Sequence, residues 1–299
     1  MNNFRLTHLS SAEEIRSLAD RCLRQAGAIG SLPTPVDALI ATAGIENITD
    51  PEAFKESFLA SLSESAGMIF RSAWQKIRGI ADMRERAIYV PRTTKENRDR
   101  WAKAHELGHQ VIPWQNIRPA YKDEDSNLNS DVQDLFEAES NYFASEILFQ
   151  GERFGSRARD YQPSFEAVFH LADDHGATRH TTLHRFVEEH DESIAAIAYW
   201  PSRFTVDKYG FPILRLGKVV SSPRFLAKYS AVDLPPVLCM GHPWILERDS
   251  SEVFNGDINL VCGTGSIRFQ WQSWWNQYCL LVLLRRRPLL SVVGRLLKP

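Results

Sequence analysis

The sequence is poor in cysteine. Its 299 residues include four, Cys22, Cys239, Cys262 and Cys279, and no two form a Cys-x-x-Cys pair. That excludes a disulfide-stapled scaffold and a paired-thiolate metal site. A long apolar run is also missing. The longest late one, Cys279 to Leu284, is cut by Arg285, Arg286 and Arg287, far short of the roughly 20 residues needed to span a bilayer. The opening MNNFRLTHLSSAEEIRS has no uninterrupted apolar core of the kind a secretory signal carries. Neither sign of charge is in excess: 35 Lys+Arg against 37 Asp+Glu give a formal net charge of -2. A uniformly basic nucleic-acid coat and an acidic tail protein are excluded, while a local basic patch is not. Internal repeats and low-complexity tracts are absent. The expectation is a soluble, cytoplasmic protein without a membrane span.

Apolar residues make up 43% of the chain, enough for real cores. The length suits two domains or three small ones. The spacing predicts a helix over 11–27, where Ile15, Leu18, Ala19 and Cys22 share a face and Ser11 with Glu14 forms a capping box. Pro33 and Pro35 lead into a short helix from Val36, stopped by Gly44. Residues 52–80 are mixed, helix followed by strand or by further helix. Ala87–Val90 reads as a strand. One helix runs through TTKENRDRWAKAHELGHQVI, with Thr93 or Thr94 as its cap, and a second strong helix runs from about Val132 to Phe149. Between them Arg118–Asp134, with DEDSNLNSD at its centre, reads as a loop. Helices over 164–175 and 181–190, joined at Gly176, precede a strand over 194–200. From Pro201 short apolar runs alternate with turns, the texture of a mainly β domain. In FQWQSWW, alternation sends Phe269 and Trp271 into that core. The chain is therefore expected to be α+β: a mainly helical domain with a small sheet over 1–160, a helical module over 161–200, and a β-rich domain over 201–299.

One motif carries chemistry. His105-Glu106-Leu107-Gly108-His109 is the H-E-x-x-H pattern. Two histidines four apart on a helix stand one turn apart on one face. Both imidazoles can then meet a single Zn²⁺, with Glu106 beside them to take a proton from water. A third ligand is required, and the next helix offers Glu137, Glu139 and Glu146. Glu137 and Asn141, four apart, project together: a carboxylate on the metal and an amide orienting His105 or His109. On spacing alone Glu137 and Glu139 both stay open as ligand, the other lying on a solvated helix face. Tyr142, His170 and His175 are candidates for a second donor to a developing oxyanion.

RWAKAHELGHQVI followed by EAESNYFASEILF resembles the ImmA/IrrE family of metallo-endopeptidases, as does the earlier LPTPVDALIATAGI. The resemblance is specific over about residues 33–150. It implies a zincin-like metalloprotease fold in which His105 and His109 are zinc ligands, Glu106 the general base, Glu137 the third ligand and Asn141 a supporting residue. Departures are Ser140, where the family usually has alanine, Phe149-Gln150 in place of its x-Pro ending, and Pro113-Trp114 where a further histidine is common. The implied function is zinc-dependent cleavage of a regulatory protein, a helix-turn-helix repressor, in response to stress or to a mobile element's signal. The β-rich region would then sense a signal or recruit substrate.

Two alternatives stand beside it. One is a non-catalytic regulatory or partner-binding protein that retains the fold. The other is a DNA-binding regulator using residues 164–190, where Arg179, His180, His184 and Arg185 lie on or near the second helix. Direct nucleic-acid binding there is opposed by Glu188, Glu189, Asp191 and Glu192.

Overall fold

The computed structural model describes residues 9–60, 79–83, 85–115, 126–229, 232–245, 252–263 and 265–286. Much of the mixed stretch 52–80 and all residues from Arg287 onward lie outside the described residues. Two compact units are present. One draws on Phe4–Phe154 and Ala172–Thr178, the other on Gly155–Leu171 and Arg179–Pro299. Among the described residues no helix is long and apolar enough to cross a membrane. The architecture is α+β, as the sequence pattern requires.

The first unit opens with α1 (Ala12–Gln25), which buries Ile15, Ala19 and Leu23 at four-residue spacing. Ser11 precedes it, but its hydroxyl makes no capping bond. It donates to Glu139 Oε1 at 2.6 Å, and its backbone, at φ -92 and ψ 8, lacks the extended conformation of a capping residue. The expected capping box is therefore not formed. Next come α2 (Val36–Thr42), β1 (Glu46–Ile48), α3 (Pro51–Ala60), β2 (Ile80–Asp82) and β3 (Ala87–Tyr89). The three strands form one sheet in the order β1-β3-β2, with β1 parallel and β2 antiparallel to β3. The central strand is buried along its whole length.

The helix carrying the pentad, α4, spans Glu96–Val111. Its N-cap is Lys95, not a threonine. Thr93 acts one step earlier, donating its hydroxyl to Asp99 Oδ1 at 2.7 Å while accepting from the Lys95 N–H at 3.0 Å. Gln110 fastens α4 to the sheet by donating to the carbonyls of Asp82 at 2.8 Å and Ala87 at 3.1 Å. A 3₁₀ turn, Pro113–Gln115, follows.

The next helix, α5, spans Ser126–Phe149. The loop expected through Asp134 is thus helical from Ser126 onward. The segment is polar, but it contains neither glycine nor proline, and an established helix propagates through polar residues at little cost. Helices α4 and α5 pack together at Gly108. A β-carbon there would stand 3.2 Å from Phe143 Cδ1 and from the Ser140 Cα. The shared core joins Leu107, Tyr142, Phe143 and Ile147 to the apolar faces of α1 and α2.

The second unit holds α7 (Phe165–His175) in part, α8 (Arg179–Glu189) and a six-stranded antiparallel sheet. The preceding helix, α6 (Glu152–Arg159), and α7 both contribute residues to each unit. The strands are β4 (Ile194–Val206), β5 (Pro212–Ser221), β6 (Val237–Leu238), β7 (Phe254–Cys262), β8 (Gly265–Trp275) and β9 (Leu280–Arg285), ordered β6-β5-β4-β9-β8-β7. A short helix, α9 (Pro223–Lys228), follows β5. The segment 232–238 reaches both edges: Val232 bridges to Cys262 of β7, and Val237 pairs with Arg215 of β5. The sheet is therefore curled into a half-barrel. Phe269 and Trp271 lie in its core with Tyr199, Phe225 and Trp244.

The basic residues of α8 are engaged within this unit. Arg185 is 4% exposed and pairs with Glu189 at 3.0 Å. Arg179 lies over the rings of Phe169 and Trp274. His180 and His184 pack on each other, with the Lys218 ammonium 3.5 Å from His184 Nδ1. Any phosphate contact by these side chains would compete with those partners.

Replacing Gly108 by valine is expected to force α4 and α5 apart. Overpacking against the Ser140 backbone should destabilise the protein by about 1–3 kcal/mol. Equilibrium denaturation would show it as a lowered midpoint.

Candidate metal centre

Helix α4 presents His105 and His109 with ring centroids 4.8 Å apart and planes at 84°. Facing them from α5 is Glu137. His105 Nε2 lies 3.3 Å from Glu137 Oε2, and His109 Nε2 lies 3.4 Å from Oε1. The two Nε2 atoms are 3.1 Å apart. His105, His109 and Glu137 form a group whose ligand atoms all fall within 4.8 Å of one another. Around a tetrahedral ion with bonds of about 2.0–2.2 Å, neighbouring ligand atoms stand roughly 3.3–3.6 Å apart. The observed spacings lie close to that edge length. The His105 Nδ1 is buried without a hydrogen-bond partner among the described residues. Two imidazoles and a carboxylate converging in this way could hold a metal ion. The Glu137 side chain is 53% exposed, so the group opens toward solvent on that side.

His109 has a built support. Its Nδ1 lies 2.8 Å from Gln115 Oε1 and 3.0 Å from Ser140 Oγ. An amide oxygen only accepts, so the Nδ1 carries a proton, and the ring in its neutral form would turn its Nε2 lone pair to the centre. Gln115 is fixed in turn. Its amide nitrogen donates to Glu139 Oε2 at 2.9 Å and to the Phe136 carbonyl at 3.2 Å. Glu139 also accepts from the Trp114 indole at 2.7 Å and from Ser11. At 2% exposed, Glu139 is a buried anchor and not the solvated residue expected of the carboxylate that is not a ligand.

Glu106 is 8% exposed. Its carboxylate lies against Gly79, where a β-carbon would fall 2.9 Å from Cγ and Cδ and closer still to Oε1. Burial raises its pKa, with His105 and His109 pulling less strongly the other way. Glu137 is held well below the usual carboxylate range by hydrogen bonds to His105 and then His109. For His109, burial favours the neutral ring, but Glu137, Glu106 and Gln115 together outweigh it and raise the pKa.

The structure thus brings His105, His109 and Glu137 together and sets Glu106 beside them. Asn141 makes no hydrogen bond to either imidazole among the described residues. That contact belongs to Ser140, one position earlier on α5, and to Gln115. Tyr142 is fully buried, its hydroxyl accepting from Arg16 at 3.0 Å. His175 is buried with Nδ1 facing the Leu148 carbonyl at 3.1 Å, and His170 packs on Tyr161. Sequence reading missed Gln115 and Gly79, and the supporting roles of Ser140 and Glu139. The one available signal was Ser140 itself, a hydroxyl where the resembled family carries a methyl.

Gln115→Ala is expected to weaken metal binding by about 10–100-fold through the loss of the Nδ1 acceptor. Asn141→Ala should leave affinity within about twofold, because it removes no such support. Competition with a chromophoric chelator measures both.

Comparison with known proteins follows the same residues. Residues 68–187 match the Peptidase_M78 family model, described as the IrrE N-terminal-like domain. No curated protein matches the chain. Among solved structures, a Mycobacterium tuberculosis transcriptional regulator is similar in fold, with a TM-score of 0.52 and 13% identity. The likeness covers 91% of this chain and 75% of that one. Over part of its length, then, this chain carries an IrrE/ImmA-like peptidase domain, and that stretch includes the His105, His109 and Glu137 cluster.

Proposed function

We propose that the protein is a zinc-dependent endopeptidase of the cytoplasm, acting on a regulatory protein such as a helix-turn-helix repressor. The observation that carries this reading is the convergence of His105, His109 and Glu137 beside the buried Glu106. The donor set suits zinc: two imidazoles, one carboxylate, and a fourth position free for substrate or water. A zinc ion held there supplies Lewis-acid polarisation of a carbonyl and lowers the pKa of water toward about 7.

The chain's own residues do the rest. Gln115 and Ser140 keep the His109 proton on Nδ1, so the ring offers its lone pair at Nε2. Glu106 takes a proton from the attacking water and returns it to the departing amine. Its raised pKa fits that double role, since a carboxyl nearer neutrality both accepts and gives up a proton readily. Gly79 leaves the space the carboxylate occupies. In this reading 1–160 is the catalytic domain, 161–200 a helical module, and 201–299 a domain that recruits substrate or senses a signal.

A second reading is favoured by the fold comparison more than repressor cleavage is. The similarity to a transcriptional regulator extends over 91% of this chain. The protein would then be a regulator that keeps the zincin fold and uses the metal centre to hold a conformation or a partner.

Glu106→Gln separates the two. The peptidase reading expects one metal per chain in the variant, as in wild type, with cleavage of a candidate repressor reduced by about 10²-fold or more. Unchanged regulatory activity in this variant, with no proteolysis by wild type, would favour the second reading.

A pH dependence also follows. The raised His109 pKa means that a metal must displace a proton at pH values where an ordinary imidazole is already neutral. Metal affinity should therefore rise with pH from about 5 to 8. In the metal-free protein the sign reverses. The His109–Glu137 pair contributes fully below about pH 6.5, the unfolded value, and is lost as pH rises through the folded pKa. Calorimetric titration and thermal unfolding across that range measure the two trends.

A further inference from the structure

Helix α5 carries two polar faces. Glu137 and Ser140 meet the histidines of α4. Glu139, Tyr142 and Glu146, spaced so that they share another face, meet α1. At the head of α1 the Ser11 hydroxyl donates to Glu139 Oε1 at 2.6 Å. Arg16 donates to the Tyr142 hydroxyl at 3.0 Å, and its Nε stands 3.7 Å from Glu146 Oε2. The Arg16 contacts fall further along α5, away from the histidines. The Ser11 contact leads toward them.

Glu139 divides its oxygens. Oε1 takes the Ser11 hydroxyl, and Oε2 takes the Trp114 indole at 2.7 Å and the Gln115 amide nitrogen at 2.9 Å. A carboxylate only accepts, as does the Phe136 carbonyl beside it, so Gln115 must turn its NH₂ to this side. Its Oε1 is thereby left facing His109 Nδ1 at 2.8 Å, and it also accepts from the Ser140 hydroxyl at 3.2 Å. A reversed amide would set donor against donor at Nδ1. The orientation of Gln115 is thus dictated from Glu139, and that of Glu139 in part from α1.

Removing the Ser11 hydroxyl takes from Oε1 the donor it has on α1. A buried carboxylate oxygen that loses a donor is costly to keep in place. The group relieves that cost by turning toward its remaining donors or toward solvent, and either movement loosens Gln115. We infer that Ser11 is a positioning residue for the metal centre. Through Glu139 and Gln115 it fixes the His109 ring, so the seating of α1 governs how tightly metal is held. This inference rests on the metal centre of the proposed function and not on peptide cleavage.

Zinc affinity by chelator competition, beside nitrogen-edited NMR of the metal-free imidazoles, tests it on the full chain. Ser11→Ala is expected to weaken zinc binding about three- to tenfold, less than Gln115→Ala because it acts further from the ligand. Ser11→Thr restores the hydroxyl and should stay within about twofold of wild type. In a Gln115→Ala background, Ser11→Ala should cost less than about 1.5-fold, since the path is already cut. Arg16→Ala loosens α1 but spares Glu139, and should leave affinity within about twofold. In the metal-free protein the His109 Nδ1 proton should move in Ser11→Ala toward its position in Gln115→Ala, and stay in place in Arg16→Ala. Full loss from Ser11→Ala in the Gln115→Ala background, or an equal loss from Arg16→Ala, would overturn the assignment, because α1 would then act through packing alone. So would wild-type affinity or an unmoved His109 proton in Ser11→Ala. If the wild type binds no zinc, the metal reading falls, and the His109 proton decides whether Ser11 positions the ring.

Discussion

Gly108 sets the distance between α4 and α5. A single β-carbon there would press on Phe143 and on the Ser140 backbone, so the two helices meet as closely as they do because the position has no side chain. That approach lets Glu137 face both imidazoles and lets the Ser140 hydroxyl reach His109 Nδ1. The pentad places two histidines on one helix face by the 3.6-residue period. The third group comes from another helix, and its position depends on interhelical packing.

The charge arrangement builds on that contact. Glu139, buried under α1 and the 3₁₀ turn, holds Gln115; Gln115 holds the Nδ1 side of His109; and His109 then offers Nε2 to the centre. A buried carboxylate with several donors is stable where an unpaired one would not be. The chain of bonds therefore ties the orientation of one imidazole to packing some distance from it. Glu106 lies outside this chain, raised by burial and seated against Gly79. Two kinds of carboxylate result within one small region: Glu137 kept ionised by the imidazoles, and Glu106 displaced toward neutrality.

The parts legible in the sequence were those governed by local period. The helix of the pentad, the short buried strand Ala87–Tyr89, and the alternation that sends Phe269 and Trp271 into the sheet core all follow from spacing. Spacing alone left Glu137 and Glu139 open, because both lie on α5 and the choice between them is made by its rotation against α4. The family resemblance pointed to Glu137. Asn141 and Ser140 differ by one helical position, and i+3 against i+4 from Glu137 is again a question of rotation. Gln115 was hidden because it sits past the end of α4, where the Pro113–Gln115 turn returns it to His109. Polarity made 126–134 read as loop, although nothing in those residues stops a helix.

The central claim is that His105, His109 and Glu137 bind one metal ion, and X-ray absorption spectroscopy of the zinc-loaded protein tests it most directly. Two imidazole nitrogens and carboxylate or water oxygens at about 2.0–2.2 Å, at one zinc per chain and lost in Glu137→Gln with His109→Ala, are the expected result. Sulfur scatter near 2.3 Å, or zinc bound equally well by that double variant, would contradict it.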